Sequence, residues 1–374
     1  MATLRDVVAV LDALYDPRWA DDWDAVGTAA GDPDAEVRSI LFAVDPVQAV
    51  VDEAVGLGAD LVVTHHPLFL KGVTSVAAST PKGRVVHTLL SNGIALHTCH
   101  TNADAPPLGV SESMAFALGL EDVEPLQADD DPPLDQWGVY VPREDADAVA
   151  EAMFDAGAGH IGDYDRARFQ LEGRGSFRPL EGANPTIGSA GKVEWVEETR
   201  LEIVAPSHLR EQIRSAMVAA HPYEEVAHEV VAHAPRPSNR GSGRIGTLPE
   251  PMTLAAFAEK VKAALPAHFG ATRIAGDLDR EIRTVALCGG SGDFLLAEAD
   301  ARGADVYVTS DLRHHPVSEH LEKADPCAVI DVPHWAAEWT WLPVAAREVA
   351  ERLGDTVVTH VSTIPTDPWT RTLA

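Results

Sequence analysis

The chain has little cysteine and is short of positive charge. Its three cysteines, Cys99, Cys288 and Cys327, are odd in number and widely spaced, with no Cys-x-x-Cys pair. That pattern argues against a disulfide framework and leads us to expect a reducing compartment, the cytoplasm. Of 374 residues, 29 are Lys or Arg and 58 are Asp or Glu, a formal charge of −29. Sequence-independent binding to nucleic acid or to anionic membrane relies on basic surface, so both are disfavoured. An anionic small substrate is not excluded, because a bound cation dominates its local field. No stretch approaches the ~18 apolar residues of a membrane span, and residues 1–6 lack the basic-then-apolar pattern of a leader. We therefore expect a soluble protein, long enough for two or three domains.

What is present is a repeated α/β pattern. A helix is expected over residues 3–14, after a Thr cap with Asp at its third position. A strand over 37–44, a helix from Asp45-Pro46 to about Gly58 and a strand ending at Thr64 make a β-α-β unit, which predicts a parallel, right-handed crossover. A helix over 83–91 leads to a third strand, 93–100, which ends in the polar cluster Thr101-Asn102-Ala103-Asp104. The second half echoes this order. Residues 281–288, a Gly-rich turn, a helix through Ala299 and the strand 306–309 follow the same plan. Gly303-Ala304-Asp305-Val306-Tyr307-Val308-Thr309 matches Gly58-Ala59-Asp60-Leu61-Val62-Val63-Thr64. We read two related α/β lobes, an internal duplication whose strand ends face one cleft, against the alternative of chance similarity between ordinary β-α-β units.

Asp129-Asp130-Asp131-Pro132-Pro133 and residues 235–243 read as linkers. The enclosed segment holds a strand (136–141), a helix (145–156), a turn-rich middle, a strand (199–204), a helix (207–220) and a strand (226–231). That order predicts an inserted ferredoxin-like α+β module. The expected domains are 1–128, 129–240 and 241–374.

The apolar run Leu61-Val62-Val63-Thr64 stops in His65-His66-Pro67. In an open α/β sheet the carboxyl ends of the strands are where ligands gather. Adjacent side chains on a strand point to opposite faces, so one site uses both histidines only if the chain turns, and Pro67 suits a turn. An isolated His pair is more often a solvated or structural pair. His334 and Glu338, four apart, share one face if a helix starts near Pro333, although such a pair is also an ordinary surface feature worth tenths of a kcal/mol. With Asp104, these residues total three imidazoles and two carboxylates. Zn²⁺, Fe²⁺ or Mn²⁺ accept that mixture, whereas Mg²⁺ and Ca²⁺ favour all-oxygen sets. A catalytic tetrahedral ion usually takes three protein ligands, so five with a bridging carboxylate suit two ions. His100 stands four residues before Asp104. Asp311, His314 and His315 leave the strand equivalent to 61–64. His87, His97 and His268 read as structural or surface residues, and Gly289-Gly290-Ser291-Gly292 as a turn able to cradle a phosphate.

His65-His66-Pro67, His100-Thr101-Asn102-Ala103-Asp104, Gly289-Gly290-Ser291-Gly292, Thr309-Ser310-Asp311 and His334-Trp335-Ala336-Ala337-Glu338 resemble the motifs of the GTP cyclohydrolase I type 2 homologues, also called NGG-interacting-factor-like dinuclear metal proteins. The resemblance spans nearly the whole chain. His221-Pro222-Tyr223-Glu224-Glu225 is similar to the motif of the CutA/PII-like module that longer members carry between their halves. The resemblance implies two divalent ions held by His65, His66, Asp104, His334 and Glu338, with Glu338 as bridge. It also implies a toroidal homohexamer with the metal sites facing an internal cavity. Three departures bear on pocket shape: Asp24-Ala25 where the family has Asp-Asn, Thr309-Ser310-Asp311 where it has Thr-Gly-Asp, and Val332-Pro333 where it has a small residue and Gly.

The implied chemistry is metal-assisted hydrolysis of a nucleotide-like or cyclic amide substrate, with His100 or Asp311 relaying the proton. Taken literally, the family name puts the attack at C8 of the guanine of GTP. The alternative is a non-enzymatic metal-binding protein, a metallochaperone or a regulator signalling through its insert. An open coordination position beside a cavity wide enough for a nucleotide discriminates the two. Direct DNA binding would need a local basic patch, for which Arg166, Arg168, Arg174 and Arg178 are the candidates.

Overall fold

The computed structural model describes residues 1–267 and 270–373, so His268 lies outside the described residues. The chain forms two compact units, residues 1–129 with 239–374, and residues 130–238.

The larger unit opens with α1 (Leu4–Leu14), started by a reciprocal cap in which the Thr3 hydroxyl accepts from Asp6 N–H and the Asp6 carboxylate accepts from Thr3 N–H. It continues through β1 (Gly27–Ala30), β2 (Ser39–Ala43), α2 (Gln48–Leu57), β3 (Leu61–Thr64), α3 (Pro81–Ser91), β4 (Ala95–Thr98), α4 (Thr101–Asp104), α5 (Val110–Ala117) and β5 (Glu121–Asp130). After the second unit come β6 (Pro237–Thr253), α6 (Leu254–Ala264), β7 (Arg273–Ala275), β8 (Glu281–Ser291), α7 (Leu296–Ala301), β9 (Val306–Ser310), α8 (His314–Leu321), β10 (Ala328–Val332), α9 (His334–Trp339), α10 (Trp341–Leu353) and β11 (Val358–Val361).

Two sheets result. The first has the order β11-β2-β3-β4-β1, parallel except for β1. The second has the order β7-β10-β9-β8-β6-β5, with β8, β9 and β10 parallel. The central strands are buried along their length, which is why they read as unbroken apolar runs rather than alternating ones. One hydrophobic cluster takes side chains from both halves of the sequence, among them Leu11, Phe42, Val63, Phe257, Val308 and Trp341.

The matched Gly-Ala-Asp stretches do the same work in both sheets. Gly58 and Gly303 follow α2 and α7 with φ of 64° and 70°, the left-handed turn that glycine makes without strain. The Asp60 carboxylate then accepts from the N–H groups of Arg38 (2.8 Å) and Ser39 (3.0 Å). Asp305 accepts from Arg283 (2.8 Å) and Thr284 (2.7 Å). Each aspartate's backbone carbonyl accepts from the first residue of the third strand, Ala95 or Ala328.

Residues 237–243, expected in a linker, are paired as part of β6. A Cβ on Gly241 would lie 2.1 Å from the Gln127 carbonyl oxygen, so here glycine serves close strand approach rather than flexibility.

The smaller unit is an antiparallel sheet of Leu134–Pro142, Phe169–Phe177, Glu194–Pro206 and His228–Ala232, in the spatial order fourth, first, third, second. Helices Ala146–Asp155 and Arg210–Ala220 complete a β-α-β-β-α-β arrangement of ferredoxin-like type, with its own core around Trp137, Met153 and Ile213. Strand Phe169–Phe177 lies where the sequence reads as turns. A Cβ on its Gly175 would meet the movable carboxylate of Glu198 on the neighbouring strand. No helix among the described residues is long and apolar enough to cross a membrane.

Candidate metal centre

The carboxyl ends of β3, β4 and β10 bring together the histidines that the sequence marks. His65 and His66 continue β3, their N–H groups bonded to the carbonyls of Ala43 and Val44. His65 is 1% exposed, and its Nδ1 lies 3.0 Å from the Cys99 carbonyl. A carbonyl accepts only, so Nδ1 carries the proton and Nε2 turns inward. His66 Nδ1 is held by Asp45 Oδ1 (2.7 Å), His334 Nδ1 by Asp311 Oδ2 (2.7 Å) and His100 Nδ1 by Asp24 Oδ1 (2.7 Å). Orienting carboxylates behind imidazoles are the usual support of a metal ligand set.

The Nε2 atoms of three of these rings meet at Glu338, which α9 presents from a 3% exposed position. Oε1 lies 2.7 Å from His334 Nε2 and 3.4 Å from His65 Nε2, while Oε2 lies 3.1 Å from His66 Nε2 but makes no hydrogen bond. Asp104 Oδ1 is 3.6 Å from His65 Nε2. Two donors each ~2.0–2.1 Å from one tetrahedral ion lie ~3.3–3.4 Å apart, so the longer separations suit a shared cation better than direct bonds. The donor set and the orphaned Oε2 fit a borderline divalent ion. His65, His66 and His100 form one group of ligand atoms within 4.8 Å of one another, and His66, His334 and Glu338 form another.

The supporting frame is built from residues that periodicity does not mark. The Asp24 carboxylate accepts from Ala25 N–H, Thr101 N–H and Oγ1, and His100. Asn102 spans Tyr15 and His100, donating to the Tyr15 carbonyl and accepting from His100 N–H. Arg244, 0% exposed, donates to the carbonyls of Ala105 and Pro106 just beyond Asp104, and to those of Gly241 and Gly243. The Gly-rich turn serves close approach. The β8–β9 register shifts between Leu287 and Ser291, and a Cβ on Gly290, whose φ is 68°, would lie 2.6 Å from Glu338 Oε1. Asp311 reaches His334 from a left-handed φ of 56°, which Asp tolerates better than most residues. The sequence signals for Asp45 and Asp311 are their places just past β2 and β9, but nothing local marks Asp24 or Arg244.

Electrostatically, the cluster holds protons where cations would sit. Burial works against the charge on His66, yet Glu338 and Asp45 drive it up to about 11; Glu338 and Asp311 similarly lift His334 to about 10. His65 is also raised. Burial alone would raise Glu338, but the surrounding imidazoles hold it well below the usual carboxylate range. Asp104 is pushed up by desolvation and by the Glu338 charge, although about a third of its side chain remains accessible to solvent. Asp24 is held low by its hydrogen bonds despite burial.

Two cavities reach the cluster. One, of about 350 Å³, is lined by His66, His100, Asp104, Glu338, Trp23 and Phe294, the last two 60% and 62% exposed. The other, of about 770 Å³, opens beside His66, Asp311 and His334 towards Arg273 and Trp369. His314 and His315 are exposed at the start of α8 and line neither cavity. His87 is exposed on α3; His97 is buried, bonded to Thr28, and lowered to about 4 by burial.

The sequence profile described as Duf34/NIF3 (NGG1p interacting factor 3) matches residues 2–368. A Mycobacterium tuberculosis protein named GTP cyclohydrolase 1 type 2 homolog is 48% identical over 371 residues, covering 98% of this chain and 96% of the relative. A Streptomyces coelicolor protein of the same name is 38% identical, covering 100% and 96%. Among solved structures, a Bacillus cereus protein related to NIF3 superposes with a TM-score of 0.76 at 34% identity, and a Staphylococcus aureus protein with 0.84 at 26%, each over 99% of both chains.

Proposed function

The chain belongs to the Duf34/NIF3 family, and from that premise we propose that it is a metal-dependent hydrolase built on a dinuclear divalent-metal centre. The observation that carries this reading is the convergence of three Nε2 atoms on the buried Glu338 carboxylate, with every Nδ1 pinned from behind. His65, His66, Asp104, His334 and Glu338 would hold two ions of the Zn²⁺, Fe²⁺ or Mn²⁺ class, with Glu338 between them. Such ions supply Lewis-acid polarisation and water of lowered pKa.

The chain's own groups supply the rest. His100, fixed through Nδ1 by Asp24, faces the smaller cavity and carries the proton between water and leaving group. Asp311 holds His334 in register, and from the wall of the larger cavity its own carboxylate can take a share in proton transfer. Trp23 and Phe294 offer flat apolar walls to a planar substrate. The relatives' name, GTP cyclohydrolase 1 type 2 homolog, sets the substrate class we propose, a nucleotide-like or cyclic amide compound. Metal-replete protein should open such rings, and Glu338→Ala should abolish turnover. Protein carrying both ions that leaves GTP, other cyclic amides and phosphoesters untouched would overturn the hydrolase reading.

That result would favour a metallochaperone or regulator, a reading supported by the separate core of the ferredoxin-like unit. We further propose that this unit is a CutA/PII-like module, that the matched Asp60 and Asp305 turns record an internal duplication, and that the cytoplasmic protein assembles as a toroidal homohexamer. Mass measurement under native conditions tests the assembly.

A further inference from the structure

A second group of ligand-type side chains lies apart from the His65–Glu338 centre. Asp300 on α7, His320 on α8 and Cys327 at the entry to β10 place one oxygen, one nitrogen and one sulfur within 4.8 Å of one another. His320 is 3% exposed and Cys327 2%. His320 Nε2 lies 2.9 Å from the Cys327 carbonyl, so Nε2 carries a proton and a neutral ring presents its lone pair at Nδ1. Nδ1 has no hydrogen-bond partner, and it faces Asp300 Oδ2 at 3.5 Å.

Two acceptors facing each other inside a protein call for a proton or a cation nearby; the Lys323 ammonium meets Oδ2, but nothing meets Nδ1. The 3.5 Å separation is long for a charge-assisted hydrogen bond and close to the ~3.3–3.4 Å between two ligands of one tetrahedral ion. The Cys327 Sγ, 3.6 Å from His320 Nε2, adds a soft donor to the same group of ligand atoms within 4.8 Å. The Asp300 carboxylate is already oriented, because its Oδ1 accepts from Cys327 N–H at 2.9 Å. Its Oδ2 is met by Lys323 Nζ at 2.6 Å, a side chain 45% exposed and therefore able to swing into water.

We propose that Asp300, His320 and Cys327 bind one further divalent cation of the Zn²⁺ class, separate from the dinuclear centre. On binding, Cys327 releases its proton to solvent and ligates as thiolate. His320 ligates through Nδ1 and keeps its Nε2 proton on the Cys327 carbonyl. Asp300 ligates through Oδ2 as the Lys323 ammonium leaves it. The thiolate and the carboxylate together neutralise the dication, and a solvent water would complete a tetrahedral set. Sulfur, nitrogen and oxygen donors in one set select Zn²⁺ or Co²⁺ over Mg²⁺ and Ca²⁺. The ion would tie α7, α8 and β10 together, a structural role rather than a catalytic one.

Co²⁺ loading of the full-length protein tests this, because a thiolate ligand gives Co²⁺ a near-ultraviolet charge-transfer band that imidazole and carboxylate ligands do not. The band is expected in the wild-type protein, should persist in Glu338→Ala, and should be lost in Cys327→Ser together with one Co²⁺ per chain. Protein that takes up Co²⁺ without the band, or a band that survives Cys327→Ser, overturns the proposal. Lys323→Met removes the competing ammonium and should load at lower Co²⁺ concentration; loading no more readily than wild type would remove Asp300 from the ligand set and overturn it as well. The ion lost in Cys327→Ser is counted separately from those lost in Glu338→Ala, so this inference and the dinuclear reading fail independently.

Discussion

The β2-β3-β4 and β8-β9-β10 units share a frame and differ in what stands at their strand ends. In both, a left-handed glycine and an aspartate that caps two strand N–H groups set the crossover. Beyond that the chemistry diverges. Asp45 and Gly290 occupy equivalent positions before those aspartates. Asp45 orients His66, while Gly290 withholds a side chain so that Glu338 can enter. His66 and Asp311 are likewise equivalent, yet one aims at Glu338 and the other orients His334. Two similar backbone frames thus meet at one cluster, in which one supplies a histidine facing Glu338 where the other supplies an orienting carboxylate or open space.

The largest expected effect tests whether the two units truly share a centre. Glu338→Ala removes the carboxylate that faces histidines from both, and elemental analysis of the purified variant should find both dinuclear ions gone. Retention of either ion would mean that the units bind metal separately. Gly290→Ala is next. It forces a Cβ into Glu338 at a left-handed φ, and should weaken metal binding by ~10–100-fold, the scale at which displaced supporting groups act, with ~1–3 kcal/mol of backbone strain. Calorimetric titration that gives wild-type affinity would break the equivalence drawn between Gly290 and Asp45.

Asp45→Asn and Asp311→Asn sharpen the symmetry of support. Each should lower metal affinity by ~10-fold or more with the fold intact, and to a similar degree. A loss confined to one would show that only one orienting carboxylate matters.

Removing the metal exposes the proton-holding role of the same groups. His66 and His334 are raised to about 11 and about 10 from an ordinary 6.5. Their stabilising contribution in metal-free protein is therefore complete below pH 6.5 and is lost as pH rises through 10 to 11. Glu338, held low, contributes above its ordinary 4.5, and that contribution is lost only in acid. Melting temperatures of chelator-treated protein should fall across the alkaline range. Metal-loaded protein, with ions in place of those protons, should show a flatter profile.

The smallest effect concerns the frame alone. Asp60→Ala and Asp305→Ala each leave two strand N–H groups without their acceptor and should each cost ~1–3 kcal/mol in denaturant unfolding. Clearly unequal losses would break the structural equivalence of the two turns.

Much of this was legible in the chain because it depends on local pattern. Buried parallel strands need continuous apolar runs, crossovers end in glycine, and the strand ends that carry His65, His66 and Asp104 are visible as abrupt changes of polarity. Glycine was the residue least readable by local rules. Gly241 and Gly290 resemble turn or linker residues, yet each is small because a specific neighbour from elsewhere in the sequence comes close. The α/β framework and the residue types that could ligate metal follow from periodicity and side-chain chemistry alone. Which of those residues meet, and which way each ring faces, depends on the packing of distant segments. Asp24, Asp45 and Arg244 act across separations of 76, 21 and about 138 residues, and no local pattern encodes a contact made only when the sheets have formed.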